Sequence, residues 1–312
     1  MMNRIRTVPI LMLALGAVAA APRAALATPE GDAARADIQK AFGFVPGFMK
    51  LMPDLALPGA WMEFKGLLLN PATALPPKMK DLVGLAVAAQ IPCEYCVYAH
   101  TEFAKLNGAT DAEIAEAVTM GALSRKWSTF LNGIQTDESK FRLEVGQLVT
   151  NMKKMMASGA TPPKPMPVAD GKAALKEIEQ SFGMAPEFLR RYPQEGLAGA
   201  WTEMRDVEMN PGSAIPGKYK SLIGVAVAAQ IPCKFCIIAD TEFAKLEGAS
   251  DRELTEAVAM SGLVRHWSTI VNGRQVDKAS FKKDVNRMVA GAKKHMAAAP
   301  ASRPAATMTA TK

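Results

Sequence analysis

The chain has 312 residues, 49% of them hydrophobic and 21% charged, which is enough apolar material for two domains of ordinary size. Its formal net charge of +7 is mild and includes Arg4, Arg6 and Arg23 of an N-terminal segment. Elsewhere lysines and arginines alternate with acids and aromatic residues are 6%, a pattern that argues against a nucleic-acid surface and for a solvated exterior.

Arg4 and Arg6 precede an apolar run from Val8 to Ala21, and Ala25-Leu26-Ala27 supplies small residues in an A-x-A arrangement. This reads as a secretory signal peptide over 1–27, so the mature chain is expected to start at Thr28 and to be exported, into the periplasm. The run contains Pro9 and falls short of the roughly 18 residues that a spanning helix needs, so no stable membrane span is expected after cleavage. Asp32 to Met52 then reads as a helix interrupted near Gly43-Phe44-Val45-Pro46, and Leu55 to Leu69 as a second that stops at Asn70-Pro71. Lys78 to Ala89 is a third, more apolar helix that breaks at Ile91-Pro92. A helix bearing two cysteines follows and ends at Asn107-Gly108. Thr110-Asp111-Ala112-Glu113 is a capping box opening a long helix to about Leu131, terminated by Asn132-Gly133, and Asp137 to Met156 is one more amphipathic helix. No segment alternates with period two, so the class is all-α.

The pattern then restarts. Trp61, Cys93, Cys96, Trp127 and Asn132 recur as Trp201, Cys233, Cys236, Trp267 and Asn272, at a constant offset of 140 residues without gaps. The sequence is therefore a tandem duplication, with a first domain over 28–156 and a second over 172–296. Residues 157–171, rich in Pro, Gly and Ser, read as a linker, and 297–312 as a disordered tail with little to bury.

Within Gln90-Ile91-Pro92-Cys93-Glu94-Tyr95-Cys96-Val97-Tyr98-Ala99-His100, two thiols and an imidazole fall on one helical face, with Cys96 and His100 as an i,i+4 pair. A thiol beside a base at a helix start has two reasons to ionise. Covalent haem attachment needs His directly after the second cysteine, and Val97 and Ile237 stand there. A four-cysteine zinc site built from both pairs lacks the polar knuckle of a zinc ribbon, and a structural staple closing so short a loop removes little chain entropy. A redox dithiol is the favoured reading of the four. In the second copy His100 becomes Asp240 and Asp81 becomes Ser221, while the cysteines stay. Loss of an imidazole and a carboxylate together is what a proton relay serving only the first dithiol would leave, and drift at two surface positions would look the same. Asp240 is expected to put a negative charge beside Cys236, and Trp61 and Trp201 are expected to fill the core.

Asp81, eleven intervening residues, then Cys93-Glu94-Tyr95-Cys96-Val97-Tyr98-Ala99-His100 in an all-α domain resembles the alkylhydroperoxidase D and carboxymuconolactone decarboxylase superfamily. The match covers about 75–135 and 215–275, giving two tandem alkylhydroperoxidase-D-like helical domains. The family more often has Glu where Asp81 stands, and its decarboxylase members lack the cysteine pair, so the resemblance implies the thiol peroxidase branch. It implies that Cys96, Cys93, His100 and Asp81 are functional; the imidazole one turn beyond Cys96 makes Cys96 the expected attacker of a hydroperoxide with Cys93 resolving the sulfenic acid, while the helix dipole, which favours Cys93 as the more acidic thiol, leaves the reverse order open. Cys233, Cys236 and Asp240 form a second, degenerate site. Neither organic cofactor nor metal is implied; the partners are a hydroperoxide and a dithiol or protein electron donor, and homo-oligomers of similar units are expected. The rival readings are an exported thiol–disulfide oxidoreductase and a non-catalytic helical scaffold with structural disulfides.

Overall fold

The computed structural model describes residues 27–159 and 167–298. The expected signal peptide, except for its last residue Ala27, the centre of the linker and all but the first residues of the tail lie outside them.

The described chain opens with α1 (Pro29–Phe42), capped by the Thr28 hydroxyl, which accepts the Gly31 N–H at 3.0 Å. The interruption expected near Gly43-Phe44-Val45-Pro46 falls where Gly43 takes φ 77, and beyond it only the short α2 (Gly47–Lys50) resumes the helix. Next, α3 (Leu57–Glu63) runs on into a π-helical turn, Phe64–Leu68. Proline opens α4 (Pro77–Gln90) where its missing N–H costs nothing. The first repeat closes with α5 (Glu94–Leu106), α6 (Asp111–Gly133) behind its Thr110–Glu113 capping box, and α7 (Glu138–Ala157). The second repeat copies this order as α8 (Gly171–Phe182), α9 (Glu187–Arg190), α10 (Gln194–Glu203), a π-helical turn at Met204–Glu208, α11 (Gly217–Gln230), α12 (Lys234–Leu246), α13 (Asp251–Gly273) and α14 (Lys278–Ala298). No strand occurs among the described residues, and the fold is all-α with two tandem copies of one helical unit.

From Leu82 to Ala89 in α4 and from Leu222 to Ala229 in α11 every residue is apolar or glycine, and a helical stretch apolar on all sides must be buried on every side. The two pack on each other at the centre of the molecule; α4 also packs on α13, and α11 on α6. The outer helices are exchanged in the same way, since α14 covers the cysteine helix α5 and α7 covers α12. Trp61 and Trp201 are core fillers, and each indole N–H donates to a carboxylate, of Asp37 and Glu177 respectively, at 2.7 Å.

Polar contacts at the centre repeat with the same symmetry. The fully buried Lys80 donates to the Leu67 and Asn70 carbonyls at 2.6 Å and lies 3.5 Å from Glu256 of the other repeat. Glu256 in turn accepts from the Thr73 hydroxyl and the Ala74 N–H. Lys220 does the same with the Val207 and Asn210 carbonyls and with Glu116. Burial pushes both lysines below the usual ammonium range, with the partner glutamate opposing.

Candidate active site

Pro92 stops α4 and releases Cys93 as the N-cap of α5, where its backbone is extended and its sulfur accepts the Cys96 N–H at 3.3 Å. A side chain in that position faces the unsatisfied amide hydrogens and the positive end of the helix dipole. One turn on, Cys96 lies 7% exposed, and His100 follows on the same side of the helix. Both side chains line a cavity of about 70 Å³ whose other walls are apolar, among them Phe48, Phe64, Leu263 and Trp267. Cys93, 1% exposed, lies beneath it and does not line it.

Asp81 on α4 is buried and reaches His100 Nδ1 with one carboxylate oxygen at 3.1 Å. Its other oxygen accepts the Asn107 side-chain N–H at 2.8 Å, so the carboxylate is held at both ends. The ring lies flat against α4 because residue 84 is glycine: a Cβ there would stand 2.5 Å from His100 Cε1. The shorter side chain of aspartate therefore still spans the gap to the imidazole.

The site is not built from one repeat. Asn272 at the end of α13 donates to Cys93 Sγ at 3.5 Å, and its other donations go back to Ser268. Reciprocally, Asn132 of α6 reaches Cys233 Sγ at 3.6 Å. Sequence reasoning saw Asn132-Gly133 only as a helix stop; α6 in fact runs through Gly133, and the amide has a role in the opposite site. The signal available was that Ser128 and Asn132 recur as Ser268 and Asn272.

Hydrogen bonding from Cys96 is the main cause that lowers the Cys93 thiol to about 6, helped by Ser268, the Cys96 N–H and Asn272, against burial. The same hydrogen bond, then burial and the Cys93 charge, push Cys96 far upward. The hydrogen bond between the two thiols therefore favours Cys93 over Cys96 as the one that ionises first. The second pair repeats this, with Cys233 lowered to about 6, Cys236 pushed up, and the two sulfurs 2.6 Å apart.

The second site is otherwise different. Cys236 and Asp240 line a cavity of about 100 Å³ together with Trp127, Phe188 and Phe243, and Glu208 stands where the first repeat has Leu68. Asp240 packs on Gly224 as His100 packs on Gly84. Ser221, the counterpart of Asp81, donates instead to Glu247 at 2.9 Å. The fixed negative charge expected at Asp240 requires correction: its burial, with Glu208 beside it, pushes the carboxyl well above the usual range. Lys234, next to Cys233 in the chain, is engaged with Glu138 at 2.7 Å. His266 and His295 are both exposed. Among the described residues no group of three or more His, Cys, Asp or Glu side chains is arranged to hold a metal ion.

The model of the carboxymuconolactone decarboxylase family matches residues 56–135 and 195–279, together more than half of the chain. No curated protein matches. A solved structure from Burkholderia xenovorans LB400, provisionally described as a gamma-carboxymuconolactone decarboxylase subunit, is similar at 18% identity and a TM-score of 0.49, covering 86% of this chain and 99% of that one.

Proposed function

We propose, for a chain that belongs to the carboxymuconolactone decarboxylase family, a thiol-dependent peroxidase that reduces small hydroperoxides at the Cys93–Cys96 dithiol. The observation that carries this reading is the placement of Cys96 and His100 on the wall of one apolar cavity, with Asp81 bonded to the imidazole from behind. Decarboxylation gives no use to two intact cysteine pairs.

Access selects the attacking sulfur. Cys96 lines the cavity, whereas Cys93 is buried below it. As Cys96 sulfur attacks the terminal peroxide oxygen, its proton passes to His100, which Asp81 orients and whose positive charge it balances. The O–O bond breaks, the alkoxide leaves with a proton as alcohol, and Cys96 becomes a sulfenic acid. Cys93 thiolate attacks the sulfenic sulfur; the S–S bond forms, the S–O bond breaks, and the departing hydroxide takes a proton from solvent to leave as water. An external dithiol then reopens the disulfide by exchange and is itself oxidised.

Burial supports this over a thiol–disulfide oxidoreductase acting on folded proteins, because sulfurs 1% and 7% exposed admit a small molecule more readily than a protein disulfide. A scaffold with structural disulfides gives no use to a buried His100–Asp81 pair. Export belongs to the same proposal: the α1 cap begins at Thr28, whose backbone nitrogen lies 3.3 Å from Asp54 Oδ2, so cleavage before Thr28 would leave a cationic amine beside a carboxylate. The test of activity is hydroperoxide consumption by the purified chain with a small dithiol as donor. Cys96→Ser abolishes it; Cys93→Ser leaves a sulfenic acid that closes no disulfide. Full activity in Cys96→Ser would sink the assignment.

A further inference from the structure

The two cavities occupy equivalent places in the two repeats and differ in chemistry. Phe103, Phe281 and Trp267 of the first are matched by Phe243, Phe141 and Trp127 of the second, so the aromatic frame is retained. The chemical changes fall at the reacting end: His100 is replaced by Asp240, and Leu68, the last residue of the π-helical turn, by Glu208. We propose that the second dithiol is a working peroxidase site in its own right, in which Asp240, with Glu208 on the wall of the same cavity, performs the proton transfer that His100 and Asp81 perform in the first. This rests on the peroxidase reading and assigns chemistry to a site that sequence reasoning took as degenerate.

Geometry supports it in four ways. Cys236 and Asp240 are an i,i+4 pair on α12 and line one cavity, as Cys96 and His100 do. Asp240 is more than nine-tenths buried and accepts no hydrogen bond among the described residues, so its oxygens are committed to no structural partner. Trp127 Nε1 in the same cavity wall is likewise buried without an acceptor. Gly224 leaves the space that Asp240 fills, since a Cβ there would stand 2.6 Å from Oδ2.

The charges around Asp240 set its range. On α12 these are the Cys233 thiolate and Cys236; the π-helical turn brings Glu208; α11 brings Lys220, which Glu116 of α6 neutralises; and Glu247 follows α12. From α7, α8 and α9 the cavity receives only apolar side chains, such as Phe141, Phe182 and Phe188. Burial holds both carboxyls up, Glu208 to about 7 against the opposing charge of Lys220, so the two can take and return a proton above the ordinary carboxylate range. In the step itself the Cys236 proton goes to Asp240 carboxylate as sulfur attacks the peroxide oxygen. The Asp240–Glu208 pair returns a proton to the departing alkoxide, which leaves as alcohol. Cys233 thiolate then displaces hydroxide from the Cys236 sulfenic acid to close the disulfide, the hydroxide takes a proton from solvent to leave as water, and the external dithiol reduces the disulfide to both thiols and is itself oxidised.

The test uses full chains carrying Cys93→Ser and Cys96→Ser, which isolate the second site, mixed with cumene hydroperoxide in a single turnover across pH. The Cys233–Cys236 disulfide should form at a rate that rises with a midpoint well above the ordinary carboxylate range. Adding Asp240→Asn, with folding checked by circular dichroism, should slow it by about a hundredfold and remove the titration. Asp240→His should restore the rate and move the midpoint toward about 6.5. Glu208→Gln removes a like charge and should shift the midpoint to lower pH. An unchanged rate and profile in Asp240→Asn would overturn the proposal. So would an inert second site beside a reactive Cys233→Ser/Cys236→Ser chain, which leaves the peroxidase reading standing. If neither chain reacts, the peroxidase reading falls and this inference with it.

Discussion

Cys93 and Cys96 are three residues apart on one helix and meet opposite surroundings. Cys93 collects hydrogen bonds at a helix N-terminus, while Cys96 faces an apolar cavity and donates to its neighbour. The reduced chain should therefore show two thiolates, Cys93 and Cys233, titrating near pH 6 by ultraviolet absorbance, and Cys93→Ser should remove half of the step. The sign of the linked stability follows. Between about 6 and the ordinary value of 9.0 the unfolded chain holds the Cys93 proton more often than the native one, so stability of the reduced protein should rise with pH over that window and fall as pH drops through about 6. Denaturant midpoints measured under reducing conditions check this. Cys93, Cys96 and His100 were legible because local helix geometry puts them on one face, and Asp81 through its loss together with His100 in the second copy and through the family resemblance. Ser268 and Asn272 were not, because they meet Cys93 only through tertiary packing.

At the scale of elements, the site depends on close approach of α4 to α5. Gly84→Ala would drive a methyl group into the His100 ring, so the imidazole must leave Asp81. The expected outcome is a drop of tenfold or more in peroxide reduction, in line with the ~100-fold scale of proton-transfer catalysis, with ~1–3 kcal/mol lost in urea unfolding. Thr110→Ala is the contrasting case: it removes only the α6 cap and should cost ~1 kcal/mol with little change in rate. Helix positions were readable from apolar period, proline and capping residues. The π-helical turns were not, since one widened turn leaves the apolar spacing almost unchanged, yet these turns deliver Leu68 and Glu208 to the two cavities.

For the whole molecule, the duplication is more than repetition, because each repeat supplies a wall and a thiol hydrogen bond to the other's dithiol. Asn272→Ala, a change in the second repeat, should raise the Cys93 titration midpoint and slow disulfide closure in the first, without touching any first-repeat residue. Glu256→Ala should destabilise the fold by ~3–5 kcal/mol, because it leaves Lys80 buried without its cross-repeat carboxylate. The constant offset made the repeat plain in the sequence. It could not show the exchange, since a gapless duplication fits two self-contained bundles as well as two that complete each other.

The central claim, that the first dithiol reduces peroxide with His100 as its proton acceptor, is tested most directly by one single-turnover measurement. Reduced chain carrying Cys233→Ser and Cys236→Ser is mixed with one equivalent of cumene hydroperoxide, with and without His100→Ala, and alcohol and disulfide are quantified together. One alcohol and one Cys93–Cys96 disulfide per chain, formed about a hundredfold more slowly in His100→Ala, is the result expected. Hydroperoxide left unconsumed by the His100-containing chain, or an equal rate in both, would contradict it.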